Sequence, residues 1–427
     1  MNPDTLLTLR IEKPVAGGRM LARHDGIVVL VAGAIPGELV RARVERTERN
    51  LAFATVVDVV EPHAARRAVV SDSRCGGAVY AHMDPAEQRR LKGELVVDAL
   101  RRLGRVPWDA PVPVAESPEQ GYRMRARLHV REGLIGFFLE GTHRVCDPVA
   151  TGQLHEAVAP VFAGLAAELR HAGLRGDADV ELSENVAADQ RAIHLEFEAE
   201  ASIRLADLRL TVPGVSGLSC STRGSGGERV IAGAPFVADT LTVAGGDRAA
   251  VPVTLQRHVR AFFQGNRFLL PSLVETVVGA CQPGTVVDLY SGVGLFGVAL
   301  AASGRHDVVA VEGHRASARD LRANAEPYGG AIRVHEAPVE QFLAQPGLAR
   351  PDVLVLDPPR TGMTRDALAG VAALAPDRVV FVSCDVATFA RDVRRLVDAG
   401  YGLKALRAFD LFPNTAHVEV VAELSRV

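Results

Sequence analysis

The sequence predicts an α/β protein built from several domains. At 427 residues the chain exceeds one ordinary domain of about 100–200 residues. The predicted pattern of secondary structure also changes near Pro252. Short strand-like runs separated by turn residues precede this residue, and alternating strands and helices follow it. We therefore predict domains at 1–61, 62–255 and 256–427: a small β-barrel, a mostly β domain with a helical segment at about 85–104, and a doubly wound parallel sheet.

Composition restricts the class of protein. The chain is 48% apolar and 23% charged, as in soluble proteins, and no apolar run approaches the roughly 18 residues of a membrane span. Its first residues lack the basic start and apolar core of a secretion signal. We expect a cytoplasmic monomer with no membrane partner. Because the net charge is only -3, binding of nucleic acid would need local basic patches.

The five cysteines are odd in number, far apart and without a CxxC pair. This pattern argues against a disulfide framework and against a zinc site, so we expect no metal and five free thiols. The cysteines are Cys75, Cys146, Cys220, Cys281 and Cys384.

The first domain alternates between β-forming residues and turns. Strand-like runs occur at 6–11, 26–31, 39–44 and 52–59, a pattern typical of a small five-stranded barrel. Such barrels often bind oligonucleotides. Glutamates offset the arginines of this segment, however, so a merely solvated surface fits equally well.

The second domain contains a predicted helix with leucines on or near one face: Leu91, Leu95, Leu100 and Leu103. Its other face is basic and is either a solvated surface or a binding surface. The basic residues are Arg89, Arg90, Lys92, Arg101 and Arg102.

A predicted strand after Gly121 carries Arg123, Arg125 and Arg127 on one face. A row of like charges needs an anionic partner, either RNA phosphate or carboxylates elsewhere in the fold. A Gly/Ser-rich stretch at 216–227 predicts a loop.

The third domain has seven predicted strands with helices between them, which indicates a parallel sheet. The strands are expected at 285–289, 307–312, 332–335, 352–356, 378–383, 403–409 and 417–424.

A glycine-rich turn after the first of these strands indicates a nucleotide cofactor. Gly292, Gly294 and Gly297 fit GxGxxG, and Glu312 ends the next strand, where a carboxylate can accept hydrogen bonds from ribose hydroxyls. Asp288 and three further residues precede the first glycine. An acid there suits S-adenosylmethionine, with its cationic amino acid tail, better than a dinucleotide.

Two further strands end in candidate functional residues. Asp357 is followed by two prolines and Arg360, where an amino-group methyltransferase would have an aromatic residue; a rigid turn without chemistry is the alternative. Cys384 follows the strand 378–383, and ligands of such sheets lie outside the carboxyl ends of the strands. A small buried core residue is the other interpretation of this cysteine.

Six motifs in order resemble those of the uracil-5 RNA methyltransferase family, and the AIPGE turn at 34–38 resembles that of a TRAM domain, an RNA-binding barrel. The motifs are FFQGN, DLYSGVGLFG, VEGHRASARDLRANA, DPPRTGM, SCDVATFARD and FPNTAHVE. The resemblance covers almost the whole chain. It implies a TRAM barrel, a central β domain and a Rossmann-like class I methyltransferase domain.

The resemblance also implies the site. Cys384 would be the nucleophile that adds to C6 of an exposed or flipped uridine, and Glu419 the base that removes the C5 proton, giving 5-methyluridine in rRNA or tRNA. The residues expected to hold S-adenosylmethionine are Gln264, Asp288, Tyr290, Gly292, Gly294, Glu312 and Asp357. The residues expected to contact RNA are Arg123, Arg125, Arg127 and Arg360.

Two departures from the family stand out. Many members bind an iron-sulfur cluster through four cysteines, but here Ala78 and Thr151 occupy two of those positions, so we expect no cluster. Val386 also replaces the usual Asn-Pro after SCD, which affects only the predicted loop geometry.

Two other functions remain open. An RNA cytosine-5 methyltransferase uses the same thiol addition but normally places its cysteines after Thr or Pro, a context absent at Cys384. A catalytically silent RNA-binding or RNA-folding factor is the other alternative, and retention of both Cys384 and Glu419 argues against it.

Overall fold

The computed structural model describes residues 2–69, 74–209, 212, 214–225, 227–245 and 248–427. These residues form a closed barrel and sheets of seven, two and eight strands. This is the multidomain α/β class that the sequence predicts. No helix in this part of the chain is long and apolar enough to cross a membrane.

The N-terminal barrel closes in the order β1-β2-β3-β5-β4. Its strands are β1 (Leu6–Pro14), β2 (Met20–His24), β3 (Ile27–Ala32), β4 (Leu39–Glu48) and β5 (Leu51–Glu61). Alternate residues of β1, among them Leu7, Leu9 and Ile11, point into the core, as the period of two requires. The predicted five-stranded barrel is confirmed.

Helix α1 (Pro85–Ala99) is capped at its N-terminus by Asp84, whose side chain accepts a hydrogen bond from Ala86 N. The helix continues into a π-helical turn at Leu100–Gly104. A two-residue strand, β6 (Val114–Ala115), follows. The wider π-turn changes the angular spacing of side chains, so Leu103 is 59% exposed, and its predicted place on the apolar face is wrong.

Neither alternative for the basic face, a solvated surface or a binding surface, holds for Lys92. This residue is fully buried and pairs with Asp410, far away in the sequence.

The central sheet has the order β13-β12-β11-β10-β7-β8-β9. Its strands are β7 (Arg125–Arg131), β8 (Leu134–Phe138), β9 (Val145–Cys146), β10 (Ala178–Glu184), β11 (Arg191–Phe197), β12 (Val215–Thr222) and β13 (Arg229–Gly233). Helix α2 (Ala159–His171) contributes to the same apolar core. The loop predicted at 216–227 is wrong for 216–222, which belong to β12; residue 226 lies outside the described residues.

Cys75 and Cys146 form a disulfide, with a Cα–Cα distance of 6.1 Å. The prediction of five free thiols is therefore wrong for this pair. An isolated antiparallel backbone pairing between Cys75 and Leu139 brings Cys75 to the β8–β9 hairpin, where Cys146 lies. Because the two cysteines are 71 residues apart, the sequence does not show that they are neighbours. Cys220, Cys281 and Cys384 are free.

A long hairpin connects the central and C-terminal parts. Its strands are β14 (Phe236–Gly245) and β15 (Arg248–His258). Asn324, in the C-terminal part, donates to the backbone oxygen of Gln256 and accepts from its nitrogen. The predicted boundary at residue 255 falls inside β15, and we propose that this hairpin is the junction between the second and third domains.

The C-terminal sheet has the order β18-β17-β16-β19-β20-β22-β21-β6. Its remaining strands are β16 (Gly284–Leu289), β17 (His306–Glu312), β18 (Ile332–Glu336), β19 (Val353–Leu356), β20 (Arg378–Ser383), β21 (Tyr401–Phe409) and β22 (Glu419–Arg426). The helices are α3 (Leu270–Ala280), α4 (Leu295–Ala302), α5 (Arg315–Ala325), α6 (Val339–Leu343), α7 (Arg365–Leu374) and α8 (Val386–Asp398).

All seven predicted strands of this sheet are present. Strand β22 is antiparallel to both β20 and β21, which corrects the prediction of a wholly parallel sheet. Strand β6 adds to the edge beside β21.

Candidate active site

Four candidate side chains follow neighbouring strands to one edge of the sheet. Asp288 and Glu312 lie at the ends of β16 and β17, while Asp357 and Cys384 come directly after β19 and β20. Parallel strands end on the same side, so the fold brings these residues together at the carboxyl edge, where such sheets bind ligands.

The turn between β16 and α4 follows a path that only special backbone angles allow. Tyr290, Gly292 and Gly294 all have positive φ, of 62°, 58° and 98°. The amide of Gly292 donates to Glu312 Oε2 at 2.8 Å, and the amide of His314 donates to Oε1 at 2.6 Å. The carboxylate of Glu312 is therefore held beside the glycine turn.

Asp288 is fully buried, and among the described residues neither oxygen of its carboxylate makes a hydrogen bond of good geometry, although the Ser291 hydroxyl and the Gly297 amide lie close by. Burial raises the pKa of this carboxyl to about 7, and the neighbouring Ser291 hydroxyl and Gly297 amide oppose this rise only in part. A buried carboxylate without partners is costly unless a donor or a cation meets it. It therefore fits the charged amino group of a ligand.

Asp357 lies next to the FFQGN segment. Gln264 Nε2 donates to Asp357 Oδ2 at 3.3 Å, and burial raises the pKa of Asp357 to about 7. Asn266 anchors the segment, since its Nδ2 donates to Ser117 Oγ at 2.8 Å and to the backbone oxygen of Leu411 at 3.0 Å.

The register of β20 and β22 brings the predicted nucleophile and base together. Ser383 pairs with Val420, and the same antiparallel register, extended by one residue, sets Cys384 opposite Glu419. Glu419 is buried, and its Oε1 has no hydrogen-bond partner within the described part of the chain.

Charges around Cys384 act in opposite directions. Burial, followed by the carboxylates of Glu419 and Asp357, raises the pKa of the Cys384 thiol to about 11, whereas Arg360 lowers it. Burial and the neighbouring Asp357 raise the pKa of Glu419 well above its usual range, again opposed by Arg360. One guanidinium therefore favours the ionised form of both groups.

The arginine row of β7 has three different environments. Arg127 pairs with Asp179 and Glu196, so here the predicted carboxylate partners are found. Arg123, just before the strand, donates to Gln153 Oε1 at 2.7 Å.

The third arginine of the row, Arg125, has a buried Nε with no partner among the described residues. Its guanidinium lies 5.8 Å from the ring centre of Phe262, which is 61% exposed. Sequence reasoning did not single out Phe262, although it begins a motif of the predicted site.

Comparisons with known proteins agree with this architecture. A model of the TRAM domain matches residues 5–57, and a model described as tRNA (Uracil-5-)-methyltransferase matches residues 349–427. An uncharacterized RNA methyltransferase of Streptomyces coelicolor is 33% identical, over 96% of this chain and 91% of its own. Another, from Thermosynechococcus vestitus, is 32% identical over 98% of both chains.

Among solved structures, the Pyrococcus abyssi tRNA (uracil-54, C5)-methyltransferase in complex with S-adenosyl-L-homocysteine has the same fold. The TM-score is 0.72 with 23% identity, over 98% of this chain and 100% of that one. The barrel and the eight-stranded sheet thus define a TRAM-containing protein with a methyltransferase fold. The chain belongs to the uracil-5 RNA methyltransferase family.

Proposed function

We propose that this protein is an S-adenosylmethionine-dependent RNA methyltransferase that forms 5-methyluridine in tRNA or rRNA. The observation that carries the proposal is the placement of Cys384 opposite Glu419 at the carboxyl edge of the sheet. A thiol and a carboxylate set opposite each other at this edge suit adjacent carbon atoms of one base, C6 and C5.

The residues at the edge fit the cofactor. The buried carboxylate of Asp288, which has no hydrogen bond of good geometry within the described residues, suits a cationic amino group, and Glu312 beside the glycine turn suits ribose hydroxyls. Gln264, Tyr290 and Asp357 complete the set that we assign to the cofactor. When bound, S-adenosylmethionine supplies an electrophilic methyl group to the activated C5 carbon.

Cys384 provides covalent activation. C5 of uracil is a poor nucleophile, so the thiolate adds to C6, a carbon–sulfur bond forms, and the electron pair of the C5=C6 bond becomes available at C5. Arg360 favours the thiolate, because its positive charge opposes the neighbouring carboxylates.

Glu419 completes the reaction as a general base. After methylation C5 carries one proton too many, and the Glu419 carboxylate removes it. The C–H electron pair then re-forms the C5=C6 bond, the C6–sulfur bond breaks, and Cys384 regains its thiolate. Burial of Glu419 keeps water away from this transfer.

The remaining charged and aromatic groups beside the proposed cofactor residues suit RNA. A base must leave its stack to reach C6, and exposed aromatic rings and arginines accept unstacked bases and phosphates. Phe262 with Arg125, together with the exposed Arg360, provides such groups, and the TRAM barrel adds a further binding surface.

The test is methylation of unmodified tRNA and rRNA transcripts with labelled cofactor, followed by mass spectrometry of the nucleosides. We expect label in 5-methyluridine with wild type and none with Cys384→Ala. Label in 5-methylcytidine would favour the cytosine-5 alternative. RNA binding without any methylated product would favour the silent RNA-binding factor.

A further inference from the structure

The connection between β21 and β22, residues 410–418, is held on one side by α1 and the segment before it. Asn414 has a positive φ of 63°, and its backbone amide, backbone oxygen and side-chain oxygen find partners there. Its amide donates to Gln88 Oε1 at 2.8 Å, and its Oδ1 accepts from Gln88 Nε2 and Arg67, both at 2.9 Å. Its backbone oxygen accepts from the amide of Tyr80 at 2.7 Å.

Lys92, one turn further along α1, ties down the start of the same 410–418 loop. Its ammonium donates to Asp410 Oδ1 and, at 3.1 Å, to the backbone oxygen of Phe412. The side chains of Lys92 and Asp410 are 0% and 4% exposed. A buried ion pair is weak support for stability, since an apolar pair of similar volume often serves as well. Its presence is better explained by a need to fix the loop.

The other side of the loop touches the proposed site. Asn266 donates to the backbone oxygen of Leu411, and the ring of Phe412 lies 3.3 Å from the point where a Cβ on Gly265 would sit. Gly265 follows Gln264, whose amide holds Asp357. The loop is thus clamped between α1 and the FFQGN segment.

The loop leads directly into the first residue of β22, Glu419. Glu419 pairs with Phe409 of β21, and the ladder to β20 begins at the next residue, Val420. On the other side of Glu419, the amide of Asp410 donates to the backbone oxygen of Ala115 in β6, but within the described part of the chain residues 411–418 have no strand pairing. The end residue of a ladder frays unless the chain beyond it is held. The clamp supplies that restraint.

We propose, on the basis of the function proposed above, that Gln88 and Lys92 are positioning residues for the reaction: through the 410–418 loop they hold Glu419 where it meets the C5 proton. Neither side chain reaches the reacting atoms. Loss of the clamp is therefore expected to slow the proton-removal step and to spare the addition of Cys384.

Two variants test this inference. Gln88→Leu removes the contacts to Asn414 and introduces no charge. The double variant Lys92→Met/Asp410→Leu removes both members of the ion pair, so that no buried charge is left unpaired. The matched control is Lys13→Met, because Lys13 also pairs with a carboxylate, Asp98 at the far end of α1, but has no contact with the loop.

The readout is rapid-quench analysis of a single turnover with tRNA and rRNA transcripts. Denaturing gels follow the appearance and the decay of the covalent protein–RNA adduct. For both variants we expect adduct formation within about twofold of wild type and adduct decay about tenfold slower or more, the cost of a misplaced catalytic group. Lys13→Met should match wild type in both rates.

Equal slowing of formation and decay, or no slowing of either, in a variant that melts like wild type would overturn the inference. If the double variant does not fold, Gln88→Leu decides alone; if neither folds, a role confined to stability is indicated and the inference fails. Failure of the proposed function looks different: wild type and Glu419→Gln would then form neither adduct nor 5-methyluridine.

Discussion

Cys384 and Glu419 lie one residue beyond the last pair of the antiparallel strands β20 and β22, Ser383 with Val420, and the continued register sets them opposite each other. Side chains of directly opposed residues lie on the same face of a sheet, with their Cβ atoms about 5 Å apart. This spacing lets a thiol and a carboxylate contact neighbouring atoms of one planar base. The relationship depends on the antiparallel direction of β22. Because β22 runs away from the carboxyl edge of the sheet, its first residue, Glu419, lies at that edge.

Replacement of the nucleophile, Cys384→Ala, should abolish methyl transfer. The expected loss is about 10⁴-fold or more, the size of effect seen when a covalent nucleophile is removed. RNA affinity, measured by filter binding, should stay within about twofold of wild type because the thiol is one small contact in a large interface. The matched control is Cys281→Ala, a buried cysteine away from the carboxyl edge. Turnover by Cys384→Ala would rule out this nucleophile.

Replacement of the base, Glu419→Gln, should trap the covalent adduct. The amide keeps the shape of the side chain but cannot take the C5 proton, so elimination should slow by about 10²–10⁴-fold. In reactions with unmodified S-adenosylmethionine, a slowly migrating protein–RNA band should then persist on denaturing gels. Glu423→Gln, on the same strand but paired with Arg378, is the control and should leave no such band. Normal turnover of Glu419→Gln would assign the proton transfer to another group.

The ionisation of Cys384 should depend on its charged neighbours. With a thiol pKa of about 11, alkylation of the free protein should accelerate as the pH rises from 8 towards 11. Arg360→Gln removes a cation that lowers this pKa, so it should slow alkylation at pH 9. Glu419→Gln removes an anion that raises it, so it should accelerate the same reaction. Changes of about threefold to tenfold are expected, as one pKa unit is tenfold in thiolate.

Mass spectrometry of the Cys384 peptide checks these rates, since Cys220 and Cys281 are buried and react separately. Arg394→Gln is a suitable control: this half-buried arginine lies on α8, which follows Cys384, but it pairs with Asp398. Alkylation that falls in Glu419→Gln and rises in Arg360→Gln would reverse the proposed roles of the two charges.

Much of the fold follows from patterns within short windows. Apolar runs bounded by turns located all seven strands of the C-terminal sheet, and the succession of short strand-like runs and turns in the first 60 residues predicted the barrel. The direction of β22 was not predictable in this way, because an apolar run looks the same in a parallel and in an antiparallel pair. The burial of Lys92 was missed for a similar reason: its partner Asp410 is 318 residues away.

The candidate site was predictable where a residue follows a strand. Asp288, Glu312, Asp357 and Cys384 all end strands of one sheet, so the sequence alone places them at one edge. The juxtaposition of Glu419 with Cys384 needed the register of β20 and β22. The clamp on the 410–418 loop and the exposed ring of Phe262 arise from contacts between distant segments, and no local pattern marks them.

The buried carboxyl of Asp288 should leave a pH signature in stability. Its pKa is raised from 3.8 to about 7, so the folded state binds the proton more tightly than the unfolded state. The contribution of this carboxyl to the free energy of unfolding is therefore fully present below about pH 4. It is lost as the pH rises to about 7, and it stays lost at higher pH. Asp288→Asn cannot ionise, so its free energy of unfolding relative to wild type should rise by about 2–4 kcal/mol across this window.

Urea denaturation at pH 4.5, 6 and 8 checks that trend, and Asp352→Asn is the control because the exposed Asp352 already accepts hydrogen bonds from Thr285. The same Asp288→Asn change should weaken binding of S-adenosylmethionine by about 10-fold to 100-fold, since a charge-assisted hydrogen bond contributes about 1.5–3 kcal/mol. Calorimetry measures this loss. If Asp288→Asn gains stability at pH 8 but keeps its affinity for S-adenosylmethionine, Asp288 does not contact the amino group of the cofactor. If it gains stability and also loses affinity, the protein keeps a cofactor-binding residue at the expense of stability.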